Sequence, residues 1–166
     1  NGRGGNIRTD RLDSRRNKFK LESFYHHSEV VRCDRMYNLH SVHETCVLHA
    51  LPSRFVTPLE LEVAVYPDAI LVFANVDEEN DTYLGFRDTP WHSHGKFLLM
   101  TGESTYLQYD PTELVIAIAK GDVLIVSQPI GNRLKDRWLM HKEERLDLQY
   151  IEPDETLSVC SLPSRS

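Results

Sequence analysis

The stretch 89–95, TPWHSHG, brings two imidazoles and an indole together between a proline and a glycine. If His92 and His94 lie on a strand, the period of two places both rings on one face. Imidazole is the commonest metal ligand, and such a pair can chelate a metal or bind an anionic group. A stable metal site needs a third and usually a fourth ligand, for which Glu103 and His141 are the candidates.

The neighbouring indole gives this segment a second role. We predict that Trp91 anchors the segment against a sheet, because a large aromatic side chain buries much apolar surface. His92 and His94 would then project near the surface and line a binding pocket. We expect this pocket to hold no cofactor, and the alternative is a divalent transition metal bound by the two histidines.

The histidine pair and the later segment 121–131, GDVLIVSQPIG, resemble the two sequence motifs of cupins. In a cupin, three or four residues separate the histidines from a glutamate, and at those positions this chain has Leu98 and Leu99. The second segment lacks its histidine. The pair also resembles the His-x-His of JAMM-type metallopeptidases, although Ser104 and Asp110 miss the spacing of that family. Neither resemblance carries an activity over to this chain.

A second group of candidate residues lies in the segment 40–44, HSVHE. A helix would place His40 and His43 on one face, although their order departs from the zincin motifs HExxH and HxxEH. Cys46 stands close to His43 and His49, which leaves a thiol–imidazole pair open. The sequence has no G-x-S-x-G nucleophile elbow, no P-loop and no G-x-G-x-x-G motif.

Charge is distributed unevenly along the chain. Residues 1–35 contain nine Lys and Arg against five Asp and Glu, whereas residues 36–166 contain ten against twenty. The net charge is therefore +4 in the first part and −10 in the second. An acidic body disfavours nucleic acid as a partner, because phosphates require a cationic surface. No apolar run approaches the roughly 20 residues that cross a bilayer, so we expect no membrane partner either.

Acidic residues are concentrated on one predicted loop, 77–81, and on the first predicted strand, 59–66. Glu60 and Glu62 are expected on the exposed face of that strand. Such charge is usually solvated surface, but an acidic face also complements a basic protein partner and speeds their encounter. The candidate binding residues are therefore Asp77, Glu78, Glu79 and Asp81 on the loop, together with Trp91, His92 and His94.

The pattern of apolar residues predicts the strands. Alternation over 59–66 indicates a strand with one face in water, and the continuous apolar run 69–74 indicates a strand covered on both faces. With a third strand over 82–86, they form an antiparallel meander. Four further strands are predicted over 123–126, 133–140, 145–151 and 156–162. The predicted core includes Leu71, Phe73, Leu124 and Val126.

One helix has clear start and stop signals. Asp110 can cap the free amides, Pro111 suits the first helical position, and Glu113 stands three residues after the cap. Gly121 ends the helix. The sequence thus predicts an α+β fold, with a largely antiparallel sheet of about six to seven strands and one main helix packed on one face.

Composition divides the chain near residue 55. We expect residues 1–55 to form a basic, His-containing N-terminal extension, with at least 1–20 disordered because few apolar residues occur there. Residues 56–163 are expected to form a compact α+β domain. The three cysteines are Cys33, Cys46 and Cys160. Their odd number and wide spacing predict reduced thiols and a cytoplasmic protein.

The functional expectation is a protein-binding module without enzymatic activity. The acidic surface and the lack of a complete catalytic set favour it, and its partner would be a basic protein. Over about residues 59–163 the chain is similar in overall appearance to small acidic α+β immunity proteins of bacteria. The alternative is a cupin-like metal-dependent enzyme or small-molecule binder that uses His92 and His94.

Overall fold

The described part of the chain contains the histidine pair and the elements around it. A computed structural model describes residues 36–102, 105–146, 151 and 155–162. The predictions for residues 1–35, including the disordered tail, and for residues 147–150 of the expected strand 145–151 lie outside the described residues. The described residues 145, 146 and 151 belong to no strand.

Within these residues the structure has two α-helices and ten β-strands. In chain order they are α1 (Leu39–Leu48), β1 (Ser53–Thr57), β2 (Glu60–Tyr66), β3 (Ala69–Val76), β4 (Asp81–Phe86), β5 (His92–His94), β6 (Phe97–Thr101), β7 (Thr105–Tyr109), α2 (Pro111–Lys120), β8 (Val123–Ile130), β9 (Arg133–His141) and β10 (Ser158–Cys160). Neither helix is long and apolar enough to cross a membrane.

The strands form three sheets, and all their pairings are antiparallel. The sheets have the orders β1-β2-β3-β4-β5, β10-β8-β9 and β6-β7. The α+β class and the antiparallel arrangement are confirmed, but the expected single sheet of six to seven strands is wrong. One reason is Gly95, whose φ of 61° turns the chain after the short β5. The chain then forms the separate hairpin β6–β7 instead of extending the first sheet.

One buried cluster joins the five-stranded sheet, the two helices and the strands β6, β8 and β9. From the sheet, Leu61, Val63, Leu71, Phe73 and Leu84 are fully buried. From the helices, the buried residues include Leu39, Val42, Cys46, Leu114, Val115 and Ile118. Leu71, Phe73 and Val126 are buried as predicted, whereas Leu124 is only half-buried. The run 123–126 is therefore not fully covered on both faces.

The expectation of one main helix is wrong, because α1 is a second helix within this core. Asn38 caps α1, and its side chain accepts a hydrogen bond from the backbone of His40 at 3.0 Å. Exposed Val47 and Leu48 hide the helical periodicity of its buried residues. Since α1 contacts α2 as well as β1 and β2, it belongs to the same core as the later strands. The boundary expected near residue 55 falls inside β1.

The second helix, α2, begins and ends where the sequence predicts. The Asp110 side chain accepts from the backbone N–H of Glu113 at 2.8 Å, and the Glu113 carboxylate accepts from the backbone N–H of Asp110 at 2.9 Å. This capping box satisfies amides that would otherwise lack partners. Gly121 ends the helix in the left-handed conformation, with φ of 76°.

We expect Phe73→Ala to lower the free energy of unfolding by about 3–5 kcal/mol, because it removes a large, fully buried side chain from β3 and leaves a cavity. Chemical denaturation measures this change. Leu48→Ala is the control, since Leu48 is 83% exposed and its truncation should change stability by less than about 0.5 kcal/mol. Equal effects of the two substitutions would contradict the central position of β3.

Candidate functional site

Strand β5 positions the two histidines at the edge of the five-stranded sheet. In its pairing with β4, His92 lies opposite Gly85, Ser93 opposite Leu84, and His94 opposite Tyr83. Because Leu84 is fully buried, the intervening positions project to the other side of the sheet. His92 and His94 therefore share the outward face, as the period of two predicts, and both are exposed.

A small aromatic cluster forms on this outward face. The ring of Tyr83 stacks on His92 with centroids 5.3 Å apart, and it meets His94 edge-on at 5.7 Å. The two imidazoles lie 5.4 Å apart at 79° to each other. A Cβ added at Gly85 would stand 2.6 Å from the Tyr83 hydroxyl oxygen. Gly85 thus provides the space in which the Tyr83 ring lies over the strand.

Hydrogen bonds orient both imidazoles. The Nδ1 atom of His92 is 2.9 Å from the carbonyl oxygen of Pro90, so it donates to that oxygen. The Nδ1 atom of His94 is 2.8 Å from Asp81 Oδ2. The Asp81 Oδ1 atom accepts the backbone N–H of Thr82 at 2.8 Å. Each ring is consequently held through one nitrogen, and the acidic side chain at the start of β4 is held at both oxygens.

Trp91 occupies the position predicted for it, beside the histidines and against the core. Its side chain is half-buried, and its ring lies 5.7 Å from that of Phe86. The backbone of Trp91 also hydrogen-bonds the carboxylate of Asp136, whose pKa is raised mainly by burial. Trp91 therefore connects the segment before β5 to the core and to β9.

The acidic loop is the β3–β4 turn, 77–80, followed by Asp81. Asp77, Glu78 and Glu79 are exposed, whereas Asp81 is half-buried. Among the described residues, Glu79 and Asp81 converge with His94, and their possible ligand atoms all lie within 4.8 Å of one another. This compact donor set does not include His92.

His141, one of the two other ligand candidates for the histidine pair, has a hydrogen-bond partner of its own. His141 is buried at the end of β9, and its Nδ1 atom accepts the backbone N–H of Glu143 at 3.2 Å. Glu103 lies outside the described residues. In the described part of the chain, the donors that gather near His94 are therefore carboxylates from the acidic turn.

The prediction that Glu62 lies on an exposed strand face is wrong. This side chain is buried on the outward side of β2 and is not solvated. Its Oε2 atom accepts from Arg54 Nε at 2.9 Å, and its other oxygen pairs with Arg87. Burial is possible because two guanidinium groups neutralise the carboxylate. Glu62 is thus part of a charge cluster that joins β1, β2 and the residue after β4.

The structure also contains a buried cation that sequence reasoning missed. The Arg137 side chain on β9 is 4% exposed and forms ion pairs with Asp68 at 3.1 Å and Asp88 at 2.8 Å. Its Nε donates to Ser127 Oγ at 3.0 Å, and Nη1 also donates to the carbonyl oxygen of Asp68 at 3.0 Å. The guanidinium lies 5.7 Å from the ring centroid of Phe86, in cation–π range.

This arginine lies beside a cleft of about 450 Å³. The cleft is lined by Tyr66, Asp68, Asp88, Ser127, Cys160 and Arg137, among others. A hydrogen bond to Cys160 is the main cause of a raised pKa for Tyr66. The histidine pair does not line this cleft, because none of the lining residues comes from β5.

The helix histidines have structural partners. His40 and His43 share one face of α1, as predicted, and their ring centroids lie 4.8 and 5.4 Å from that of Phe55. The Nδ1 atom of His43 is 2.9 Å from Ser53 Oγ. Cys46 is fully buried, and burial raises the pKa of its thiol to about 11 against the opposing effect of a hydrogen bond with Ser53. A nucleophilic thiolate is thus disfavoured at this position.

Comparisons with protein-family models, with curated proteins and with solved structures find no match for this chain.

We expect Arg137→Met to destabilise the protein by about 2–3 kcal/mol, because it removes several charge-assisted hydrogen bonds from a buried group while the two exposed carboxylates regain water. Thermal or chemical unfolding measures the loss. Lys142→Met breaks an ion pair whose two side chains are 50% and 37% exposed, so it should cost less than about 1 kcal/mol. Similar losses for both variants would contradict a central role for Arg137.

We expect the Cys46 thiol to resist thiol reagents in the folded protein, because it is buried and stays protonated at mildly alkaline pH. A variant with Cys33→Ser and Cys160→Ser isolates this thiol. Ellman's reagent should react with it only after denaturation by guanidinium chloride. Reaction in native buffer at the rate of a free thiol would refute its burial.

Proposed function

We propose that this protein is a protein-binding module whose basic partner docks on the outward face of β3, β4 and β5. The cluster of Tyr83, His92 and His94 beside the acidic turn carries the proposal. The proposed contact residues on this face are these three together with Val72 and Ala74. Strand pairing places all five on one side of the sheet.

The outward face has the composition of a contact surface. Val72 and Ala74 lie opposite Gly85 and Tyr83, are half-buried, and supply apolar area next to the aromatic cluster. Tyrosine is enriched among interface residues whose truncation strongly weakens binding. Tyr83 also lies over the glycine of its own strand, which limits its conformational freedom before a partner arrives.

The acidic turn supports a cationic partner. Asp77, Glu78 and Glu79 are exposed in the turn after β3, and Glu79 approaches His94 of the aromatic cluster. Acidic residues beside an apolar surface speed association with an oppositely charged partner and disfavour partners of like charge. The net charge of −10 over residues 36–166 acts in the same direction.

Peptide display with the full chain tests this proposal. We expect selection on the protein to enrich peptides that combine Arg or Lys with aromatic residues. A representative peptide should lose at least about tenfold in affinity on Tyr83→Ala, as for a central contact residue. Weaker but clear losses, which increase at low salt, are expected for Asp77→Asn with Glu78→Gln. Binding is measured in the presence of a chelator.

The matched control is Glu44→Gln with Glu143→Gln. These two residues are exposed and remote in sequence from the acidic turn, and their substitution changes the net charge by the same amount. We expect this control to bind the selected peptide nearly as the unaltered chain does. The proposed function would be refuted if the selected peptides carried no positive charge. It would also be refuted if the Tyr83→Ala variant bound the selected peptide as tightly as the unaltered chain.

A further inference from the structure

We infer that Glu79, Asp81 and His94 bind a divalent transition metal ion, with Zn²⁺ as the preferred ion. Their possible ligand atoms lie within 4.8 Å of one another. Around Zn²⁺, bond lengths of about 2.0–2.2 Å separate neighbouring ligand atoms by roughly 3–3.5 Å. Small side-chain rotations are therefore sufficient to bring these three donors to one ion.

The donors converge because three different backbone positions meet at one end of the sheet. Glu79 lies in the turn after β3, Asp81 is the first residue of β4, and His94 is the last residue of β5. Since Tyr83 pairs with His94, Asp81 is the diagonal neighbour of the histidine on the outward face. Glu79 and Asp81 are far from His94 in the sequence, and the pairing of β4 with β5 brings the three residues together.

A buried hydrogen-bond network holds the backbone beside the central donor. Thr82 follows Asp81 and is fully buried. Its hydroxyl donates to Asn75 Oδ1 at 2.6 Å and accepts the backbone N–H of Tyr37 at 2.9 Å. The backbone of Gly95 donates to the carbonyl oxygen of Thr82 at 2.9 Å. Asp81 and His94 are consequently connected to a fixed backbone, which reduces the ordering that ligand binding requires.

The donor chemistry selects the kind of ion. Glu79 and Asp81 place two carboxylates close together, and a dication would offset their mutual repulsion. Imidazole favours Zn²⁺ and related transition ions over Mg²⁺ and Ca²⁺, which prefer oxygen ligands. Three protein ligands leave a coordination position for water or for a donor from another molecule.

The inferred site differs from a pair of histidines. The compact donor set contains His94 with two carboxylates, and His92 is outside it. The inference is independent of the proposed protein-binding function, because it concerns the binding of a metal ion alone.

Isothermal titration of the full chain with ZnCl₂ tests the site, and titration with CoCl₂ adds a visible absorption spectrum that reports on the ligands. We expect saturable binding with one ion at this site. His94→Ala and Asp81→Asn should each weaken it by more than the roughly 10–100-fold that loss of an outer hydrogen-bond partner causes. Excess MgCl₂ should not displace the ion.

Two matched controls separate ligation from structure. His92→Ala removes an exposed imidazole of the same strand, and Glu78→Gln removes an exposed carboxylate of the same turn. Both should retain the affinity of the unaltered chain. Glu79→Gln should weaken Zn²⁺ binding at least about tenfold without altering the thermal midpoint in chelator, because it leaves the Asp81–His94 hydrogen bond in place.

The outcomes are distinct. No saturable binding of Zn²⁺ to the full chain, or binding that His94→Ala and Glu79→Gln leave unchanged, would overturn the inference. A loss in His92→Ala equal to that in His94→Ala would overturn this donor set. Since peptide binding is measured in chelator and its charge variant spares all three donors, failure of the metal site and failure of the proposed function are distinguishable.

Discussion

The buried guanidinium of Arg137 joins β9 to the turn before β3 and to the loop before β5. It binds Asp68 in the turn between β2 and β3 and Asp88 in the loop between β4 and β5. Two further contacts join the same loop to β9: Thr89 Oγ1 donates to the Arg137 carbonyl oxygen at 3.4 Å, and the backbone of Trp91 hydrogen-bonds Asp136. This loop leads directly into β5. A charge that is tolerated in the interior only when it is paired therefore fixes the start of the strand that carries both histidines.

The opposite end of β4 is held by neutral groups. Thr82, Asn75 and the backbone of Tyr37 form a closed set of hydrogen bonds, with Asn75 Nδ2 donating to the Tyr37 carbonyl oxygen at 2.9 Å. Because these groups are satisfied by one another, their burial has no large cost. The β4–β5 hairpin is thus held at one end by an ion-pair cluster and at the other by a polar network. His92 and His94 therefore project from a backbone that is supported at both ends.

The sequence predicts what local chemistry determines and misses what distant contacts determine. The cap at Asp110, the stop at Gly121 and the placement of His92 and His94 on one face depend on neighbours within a few residues. The burial of Arg137 and Glu62 depends on partners from other strands, and alternation places such charged residues in solvent. The role of Tyr83 depends on the glycine two residues later and on its strand partner. Helix α1 was missed because two apolar residues at its end face solvent.

The histidines show why residue type alone does not locate a functional site. His141 is buried with a backbone partner, whereas His40 and His43 contact Phe55 from α1 and His40 is exposed. His92 and His94 are exposed at a sheet edge, and His94 lies beside the converging carboxylates of Glu79 and Asp81. The difference arises from strand pairing, which brings Glu79 and Asp81 to His94 across a gap of more than ten positions. The converging carboxylates, and not the count of imidazoles, therefore distinguish His94 from the other histidines of the described residues.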